Sequence, residues 1–147
     1  MALDFETVFI LFFAILGLMT WKFLPKLLAG VPFVEPGDVK RLLDEGKLEV
    51  VIDVRTPNEF HIDPGHIPGA VNMPFADIHA RLKELGDELS GLRGLPVVVT
   101  CATEQRSSHA TRVLKKNGFT GLVVLKGGMS AWRKAGLPLE TDAPGSF

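Results

Sequence analysis

The stretch VVVTCATEQRSSHATRVL (97–114) decides the fold and locates the candidate chemistry. Residues 97–100 are all β-branched, which is typical of a strand covered on both faces of a parallel sheet. The strand ends at Cys101, the single cysteine of the chain. From Ser107 onward, apolar residues recur at helical spacing, namely Ala110, Val113 and Leu114. The stretch therefore predicts a strand, a tight turn that carries the cysteine, and a helix.

The chain from residue 29 onward repeats this alternation of strands and helices. Strands are predicted at 49–54, 96–101 and 121–125, with shorter ones near 31–34 and 70–73. Helices are predicted at 37–46, 75–89, 107–118 and 128–136, with a short turn at 56–60. The alternation predicts an α/β fold with a parallel sheet flanked by helices. Ligands of such sheets bind beyond the carboxyl ends of the strands, where Cys101 lies.

The N-terminus differs in composition from the rest of the chain. Residues 7–21 carry no charge, and a helix over 5–24 would span about 30 Å, the thickness of a bilayer core. The acidic residues Asp4 and Glu6 precede this run, and Lys22 and Lys26 follow it. This pattern predicts one transmembrane helix, with the N-terminus outside and the domain in the cytoplasm.

Two alternatives compete with the membrane helix. A secretory signal peptide should carry positive charge before its apolar region, whereas this chain carries negative charge there. A buried core helix needs an apolar stripe only, whereas this run is apolar all round. We therefore expect a membrane anchor and its flank at 1–28, an α/β domain at 29–140, and a C-terminal tail at 141–147.

Composition excludes several classes of function. With 16 basic and 17 acidic residues the net charge is -1, which gives no support for a nucleic-acid partner. One cysteine cannot form an intramolecular disulfide. The four histidines lie in no metal-ligand spacing, and no CxxC motif is present. We therefore expect no metal site.

The turn after Cys101 has the composition of an anion pocket. The amino end of a helix presents unpaired N–H groups and a partial positive charge, and Arg106 adds a planar fork of donors. Such surroundings lower the pKa of a thiol and favour a nucleophilic thiolate. The alternative from geometry alone is a buried free cysteine that only packs at the end of a strand.

Three segments together resemble one family. Cys101, four intervening residues and Arg106-Ser107 are similar to the active-site loop of single-domain rhodaneses, the sulfurtransferases that carry a persulfide on cysteine. The segment VIDVRTPNEFHIDPGHIPGAVNMP (51–74) resembles the upstream signature of that family. The segment VLKGGMSAWRKAGLP (124–138) resembles its closing segment, with Gly127-Gly128 and Trp132. The resemblance runs over roughly residues 31–140.

The resemblance implies a sulfurtransferase. Cys101 would take sulfane sulfur from thiosulfate or another persulfide donor and pass it to a thiol or to cyanide. The partners would therefore be a small sulfur-donor anion or a protein persulfide, together with a thiol acceptor. The resemblance further implies that the backbone amides of Ala102, Thr103, Glu104, Gln105 and Arg106 hold the persulfide anion, and that Arg106 orients the donor. No cofactor is implied.

Other residues would support this site. Asp53 and Arg55 end a neighbouring strand at the same sheet edge, where they either brace the active loop or only fix the loop that follows their own strand. Ser107 begins the helix behind Cys101. His66 is expected to hold its own loop by a hydrogen bond, because a preformed thiolate needs no catalytic base.

Two further functions compete with sulfur transfer. Phosphatases and arsenate-reductase-like enzymes of this fold have five residues between cysteine and arginine, whereas this chain has four. A non-catalytic rhodanese-like module that docks a partner at the membrane would keep the four-residue spacing. Many family members have glycine where this chain has Glu104. We expect the Glu104 side chain to strain the loop and its charge to oppose an anionic donor.

Overall fold

The computed structural model describes residues 4–62 and 65–141, with the side chains of 22–29 excepted. Its sheet has five strands in the order β1-β5-β4-β2-β3, and all neighbours are parallel. The strands are β1 (Phe33–Val34), β2 (Val50–Asp53), β3 (Val71–Asn72), β4 (Pro96–Thr100) and β5 (Gly121–Leu125). The predicted α/β fold with a parallel sheet is therefore confirmed. Apart from Thr141, the predicted tail lies outside the described residues.

Helices cover both faces of this sheet. They are α1 (Phe5–Ala29), α2 (Pro36–Asp44), α3 (Pro57–His61), α4 (Ile78–Leu85), α5 (Gln105–Lys116) and α6 (Gly128–Lys134). The predicted helix over 75–89 is divided into a 3-10 turn at Phe75–Asp77, α4, and a second 3-10 turn at Glu88–Leu92. Gly86 ends α4 with a φ of 34°, a backbone conformation that L-residues rarely adopt. This glycine explains the interruption.

The central strand β4 joins two core clusters. Val97 and Val99 face the cluster that contains Ile78 of α4 and Leu114 of α5. Val98 faces the opposite cluster, which contains Val39 of α2, Met129 and Trp132 of α6. All three valines are fully buried, as expected where alternate side chains point to opposite covered faces. The β-branched run thus reflects burial on both sides.

The N-terminal helix lies beside α5 and carries an exposed apolar surface. Phe5, Leu18 and Trp21 are among its side chains that are more than two thirds exposed, and α1 contacts α5. Within residues 4–62 and 65–141, no helix meets the combined requirement of length and apolar character for crossing a membrane. The predicted transmembrane helix over 5–24 is therefore not supported.

The register of the strands brings the expected site residues to one edge. Asp53 of β2 pairs with Thr100 of β4, so the segments that follow both strands leave the sheet side by side. On the other side, Val124 of β5 pairs with Val99, and the chain then turns into α6. Cys101 therefore lies between the segment after β2 and the amino end of α6.

Candidate active site at the carboxyl edge of the sheet

Cys101 directly follows β4 and lies at the base of a short loop. The residue is 1% exposed. Its Sγ lies 3.5 Å from the Ser107 hydroxyl, which is close enough for a weak hydrogen bond. The cysteine therefore faces the first turn of α5 rather than bulk solvent.

The loop is shorter than the sequence predicts, because α5 begins at Gln105 and not near Ser107. The Glu104 carbonyl accepts hydrogen bonds from Ser108 N at 3.0 Å, Ser108 Oγ at 2.6 Å and Ser107 Oγ at 3.1 Å. These bonds close the first helical turn earlier than the apolar spacing indicates. Only residues 101–104 lie between β4 and α5, and Arg106 belongs to the helix.

The amino end of α6 fixes the orientation of the loop peptides. Met129 N donates to the Cys101 carbonyl at 2.8 Å, and Ser130 N donates to the Ala102 carbonyl at 3.0 Å. In a planar trans peptide the C=O and N–H bonds point in opposite directions. The N–H groups of Ala102 and Thr103 therefore point away from α6, toward the open side of the loop.

Gly128 makes this arrangement possible. Its φ is +60°, and a Cβ atom there would lie 1.9 Å from the Thr103 carbonyl oxygen and 2.5 Å from that of Cys101. No side chain fits at such distances, and the backbone conformation itself favours glycine. The close approach of α6 to the loop therefore requires glycine at position 128.

Arg106 forms a two-pronged ion pair with Glu59 of α3. Its Nη1 and Nη2 donate to Glu59 Oε2 and Oε1 at 2.9 and 2.8 Å. The hydrogen bond from Arg106 is the main reason that the pKa of Glu59 is lowered to about 2. The pKa of Arg106 is raised, chiefly by the hydrogen bond to Glu59, with smaller electrostatic contributions from the Cys101 and Asp53 side chains. The guanidinium thus lies within electrostatic range of the sulfur and is already balanced by a carboxylate.

Glu104 does not strain the loop, so that expectation is wrong. Its φ is −159°, outside the positive range that favours glycine, and every residue with positive φ in the described part of the chain is a glycine. The Glu104 carboxylate accepts a hydrogen bond from Gly127 N at 3.0 Å. Glu104 therefore ties the loop to the turn before α6.

Asp53 and Arg55 form a buried pair behind the loop. Arg55 donates through Nε and Nη2 to the Asp53 carboxylate, at 3.0 and 2.6 Å, and Nη2 also donates to the Gly65 carbonyl at 2.7 Å. The pair connects the end of β2 to the segment around His66. His66 Nδ1 lies 3.0 Å from the Phe60 carbonyl, which confirms its predicted role in holding the loop.

The structure brings most of the predicted site residues together around the sulfur. Ala102 is half-buried, whereas Thr103 and Gln105 are exposed at the rim.

In the described residues, no group of three His, Cys, Asp or Glu side chains is arranged to hold a metal ion.

Sequence reasoning missed two contributors, Glu59 and the close approach of Gly128. TPNE (56–59) is a capping-box pattern, and the structure contains that box, with Thr56 as N-cap and Glu59 at the third position. The pattern would have placed the Glu59 carboxylate at the amino end of α3. Its pairing with a residue 47 positions away is a tertiary contact, which no local pattern predicts.

Comparison with known proteins identifies the family. The sequence profile described as "Rhodanese-like domain" matches residues 35–135. The chain belongs to the rhodanese-like domain family.

Relatives and solved structures agree with this assignment. The chain is 40% identical over 82 residues to YqhL of Bacillus subtilis, a match that covers 56% of this chain and 59% of YqhL. It is 39% identical over 95 residues to thiosulfate sulfurtransferase 16, chloroplastic, of Arabidopsis thaliana, covering 60% of this chain and 78% of the plant protein. The human single-domain sulfurtransferase TSTD1 has a similar structure, with a TM-score of 0.60, 26% identity, and coverage of 71% of this chain and 97% of TSTD1.

Proposed function

We propose that this protein is a sulfurtransferase that carries a persulfide on Cys101. In the first half-reaction the Cys101 thiolate attacks the outer, sulfane sulfur of a donor such as thiosulfate. The S–S bond of the donor breaks, sulfite leaves with the electron pair, and Cys101–S–S⁻ remains. In the second half-reaction an acceptor thiolate or cyanide attacks the outer sulfur, and the Cys101 thiolate is restored.

The observation that carries this proposal is the position of Cys101 in a loop whose carbonyls are bound by α6. Because Met129 and Ser130 bind the carbonyls of Cys101 and Ala102, the amides that follow are free to face an anion on the open side. The first turn of α5 adds N–H groups that have no acceptor within the helix. This arrangement supports the stabilisation of a terminal persulfide anion by fixed backbone donors.

Side chains would assist at two points. The Ser107 hydroxyl lies 3.5 Å from Sγ, and its single proton is donated to the Glu104 carbonyl. To donate to the thiolate that is restored after transfer, this hydroxyl would have to rotate away from that carbonyl. Arg106 contributes positive charge near the sulfur, but its guanidinium is engaged by Glu59. A donor therefore meets a nearly neutral pair rather than a free cation.

This charge balance supports a persulfide donor over thiosulfate. Thiosulfate carries two negative charges and needs uncompensated positive charge to bind tightly, whereas a protein or low-molecular-weight persulfide presents at most one charge at the reacting sulfur. We therefore propose a persulfide as the physiological donor, a thiol as the acceptor, and thiosulfate as a usable but weak substrate.

A second candidate function is a docking module without catalysis. Two observations favour the docking module. Cys101 is only 1% exposed, and the Arg106 guanidinium is already paired with Glu59. Such a module would keep the fold and the surface of the loop but would transfer no sulfur.

Cellular location stays a prediction from charge. Asp4 and Glu6 precede the apolar run and Lys22 and Lys26 follow it. This charge pattern would favour a cytoplasmic position for the domain only in a helix that crosses the membrane. A reporter fused to the C-terminus tests this prediction. Activity of a reporter that works only outside the cytoplasm would contradict it.

The central experiment is mass spectrometry of the full-length protein after exposure to a low-molecular-weight persulfide and, separately, to thiosulfate. We expect a mass gain of one sulfur that is absent in Cys101→Ser and is removed by cyanide or a thiol. A protein that gains no sulfur from either donor while its fold stays intact would favour the docking module. Lys83→Gln, at an exposed position of α4, serves as the matched control and should gain sulfur normally.

A further inference from the structure

A second concave surface lies along α5, away from Cys101. This groove has a volume of about 310 Å³ and runs between the 3-10 turn before α4, α4 itself and the outer face of α5. Its polar lining consists of His79, His109, Arg112, Lys116 and Asn117. The lining therefore offers N–H donors and positive charge, and it contains no carboxylate.

The basic side chains of the groove lie close to one another, and the described residues place no carboxylate in its lining. His109, Arg112 and Lys116 follow one another at spacings of three and four residues, so they share one face of α5. Elsewhere on the surface, basic side chains pair with acids, as Lys40 does with Asp44 and Arg81 with Glu84. Among the ion pairs of residues 4–62 and 65–141, none involves a basic residue of the groove. Arg112 and Lys116 repel each other at this spacing, and an anion bound between them would relieve that repulsion.

Arg112 supplies an independent observation. The side chain is half-buried, and its Nε is buried without a hydrogen-bond partner in the described part of the chain. A buried donor without an acceptor is costly, and a small shift of the guanidinium toward a bound oxygen atom would relieve that cost. The planar guanidinium fork matches the oxygens of a phosphate or carboxylate.

The groove also has an apolar wall. Phe75 and Val113 line it beside the basic residues, and the Phe75 ring lies 6.3 Å from the ring of His109. An inorganic anion would leave this wall uncovered. A ligand with an aromatic or aliphatic part would bury it and gain the hydrophobic contribution.

We propose that this groove binds a phosphate monoester of a small organic molecule or of a lipid headgroup. A carboxylate has two oxygens, which is too few for a guanidinium, an ammonium, two imidazoles and an amide. A phosphate monoester presents three strong acceptor oxygens and carries up to two negative charges. The phosphate binds Arg112 and Lys116, and the organic part packs on Phe75. Sulfur transfer at Cys101 is not required for this binding.

The test is a titration of the full-length protein with phenyl phosphate and with inorganic phosphate, followed by amide chemical shifts in NMR spectra. We expect saturable shifts along α5 at His109, Arg112 and Lys116, with tighter binding of phenyl phosphate. Arg112→Gln should weaken binding by about tenfold or more, since it removes charged hydrogen bonds. Arg133→Gln is the matched control, because Arg133 is an exposed arginine on α6, and it should bind as the wild type does.

Lys116→Gln provides a second variant in case Arg112→Gln does not fold, and it should also weaken binding. Absence of saturable shifts with both phosphates, or equal affinity in wild type and the folded groove variant, would overturn the proposal. Vesicles distinguish the source of the phosphate. Stronger binding to phosphatidic acid than to phosphatidylcholine, lost in the groove variant, would assign a lipid headgroup, whereas no such difference would assign a soluble ester.

Discussion

The two sides of the Cys101 loop are held by different kinds of contact. On the inner side, backbone amides of α6 bind the carbonyls of Cys101 and Ala102, and Gly128 fits against the loop with no space for a side chain. On the outer side, the ion pair between Arg106 and Glu59 is about one third exposed. The inner side fixes the shape of the loop, whereas the outer side sets its charge.

The two kinds of contact respond differently to substitution. Contacts between backbone atoms depend on shape and do not tolerate added volume. An ion pair that is partly exposed can lose one charge while its geometry is largely kept. We therefore expect changes on the inner side to damage the fold and changes on the outer side to alter the choice of donor.

The largest effect is expected from Gly128→Ala. The added Cβ would overlap the Thr103 and Cys101 carbonyl oxygens, so α6 must move away and the loop loses its orientation. We expect a loss of about 3 kcal/mol or more in the free energy of unfolding and loss of persulfide formation. Denaturant unfolding and mass spectrometry measure the two effects.

Gly37→Ala is the control for this change. Gly37 lies in α2, and a Cβ there would have no atom within 4 Å. We expect its free energy of unfolding to change by less than about 1 kcal/mol. Equal effects at both positions would contradict the requirement for glycine at 128.

A smaller effect is expected on the outer side, where Glu59→Gln and Arg106→Gln should act in opposite directions. Glu59→Gln leaves the Arg106 charge uncompensated, so the KM for thiosulfate should fall by about threefold to tenfold. Arg106→Gln removes the cation, and the KM should rise. Steady-state kinetics at low salt measures both. A rise of KM in both variants would mean that Glu59 mainly positions Arg106.

The pH dependence of stability tests the same ion pair. The pKa of Glu59 is lowered from 4.5 to about 2 in the folded protein, so its contribution is complete above pH 4.5 and is lost as the pH falls toward 2. We expect the wild type to exceed Glu59→Gln in unfolding free energy by about 1 kcal/mol near neutral pH, because the pair is partly exposed. The difference should shrink over this acid range. A difference in unfolding free energy that stays constant down to pH 2 would contradict the lowered pKa of Glu59.

The smallest effect is expected at Glu104. Gln in this position can still accept the hydrogen bond from Gly127 N, so Glu104→Gln removes only the charge. We expect kcat/KM for thiosulfate to rise by about twofold at low salt and by less at high salt, since the charge is screened. Glu104→Gly relieves no strain and loses the bond to Gly127, so it should not exceed Glu104→Gln. A larger rise of kcat/KM in Glu104→Gly than in Glu104→Gln would show that the Glu104 side chain strains the loop.

The helices and strands of this fold were predictable wherever burial requires apolar residues at a regular spacing along the sequence. β5 has the predicted limits, and β4 ends one residue before the prediction, because β-branched runs mark strands covered on both faces. The sequence predicts the start of α5 two residues too late, since polar residues open the helix and serine hydroxyls close its first turn on the Glu104 carbonyl. Apolar spacing does not detect such contacts.

The candidate site was predictable in its centre but not in its balance of charge. The spacing between Cys101 and Arg106 is local and visible in the sequence. The ion pair with Glu59 depends on how α3 packs against α5, and the accommodation of Glu104 depends on the Gly127 amide. Both are tertiary contacts. The sequence leads us to expect that Glu104 strains the loop, whereas in the structure Glu104 holds the loop to the Gly127 amide.

The hydrogen bonds of Pro138 and Glu140 limit how far the chain can be shortened from its C-terminal side. His66 and Glu140 exchange backbone hydrogen bonds of 2.8 Å in both directions, and Trp132 Nε1 donates to the Pro138 carbonyl at 2.8 Å. The family match stops at residue 135. A chain shortened to that boundary would leave the buried indole without an acceptor and open the segment that Arg55 holds through Gly65. The folded domain therefore extends at least to Glu140, beyond the end of the family match.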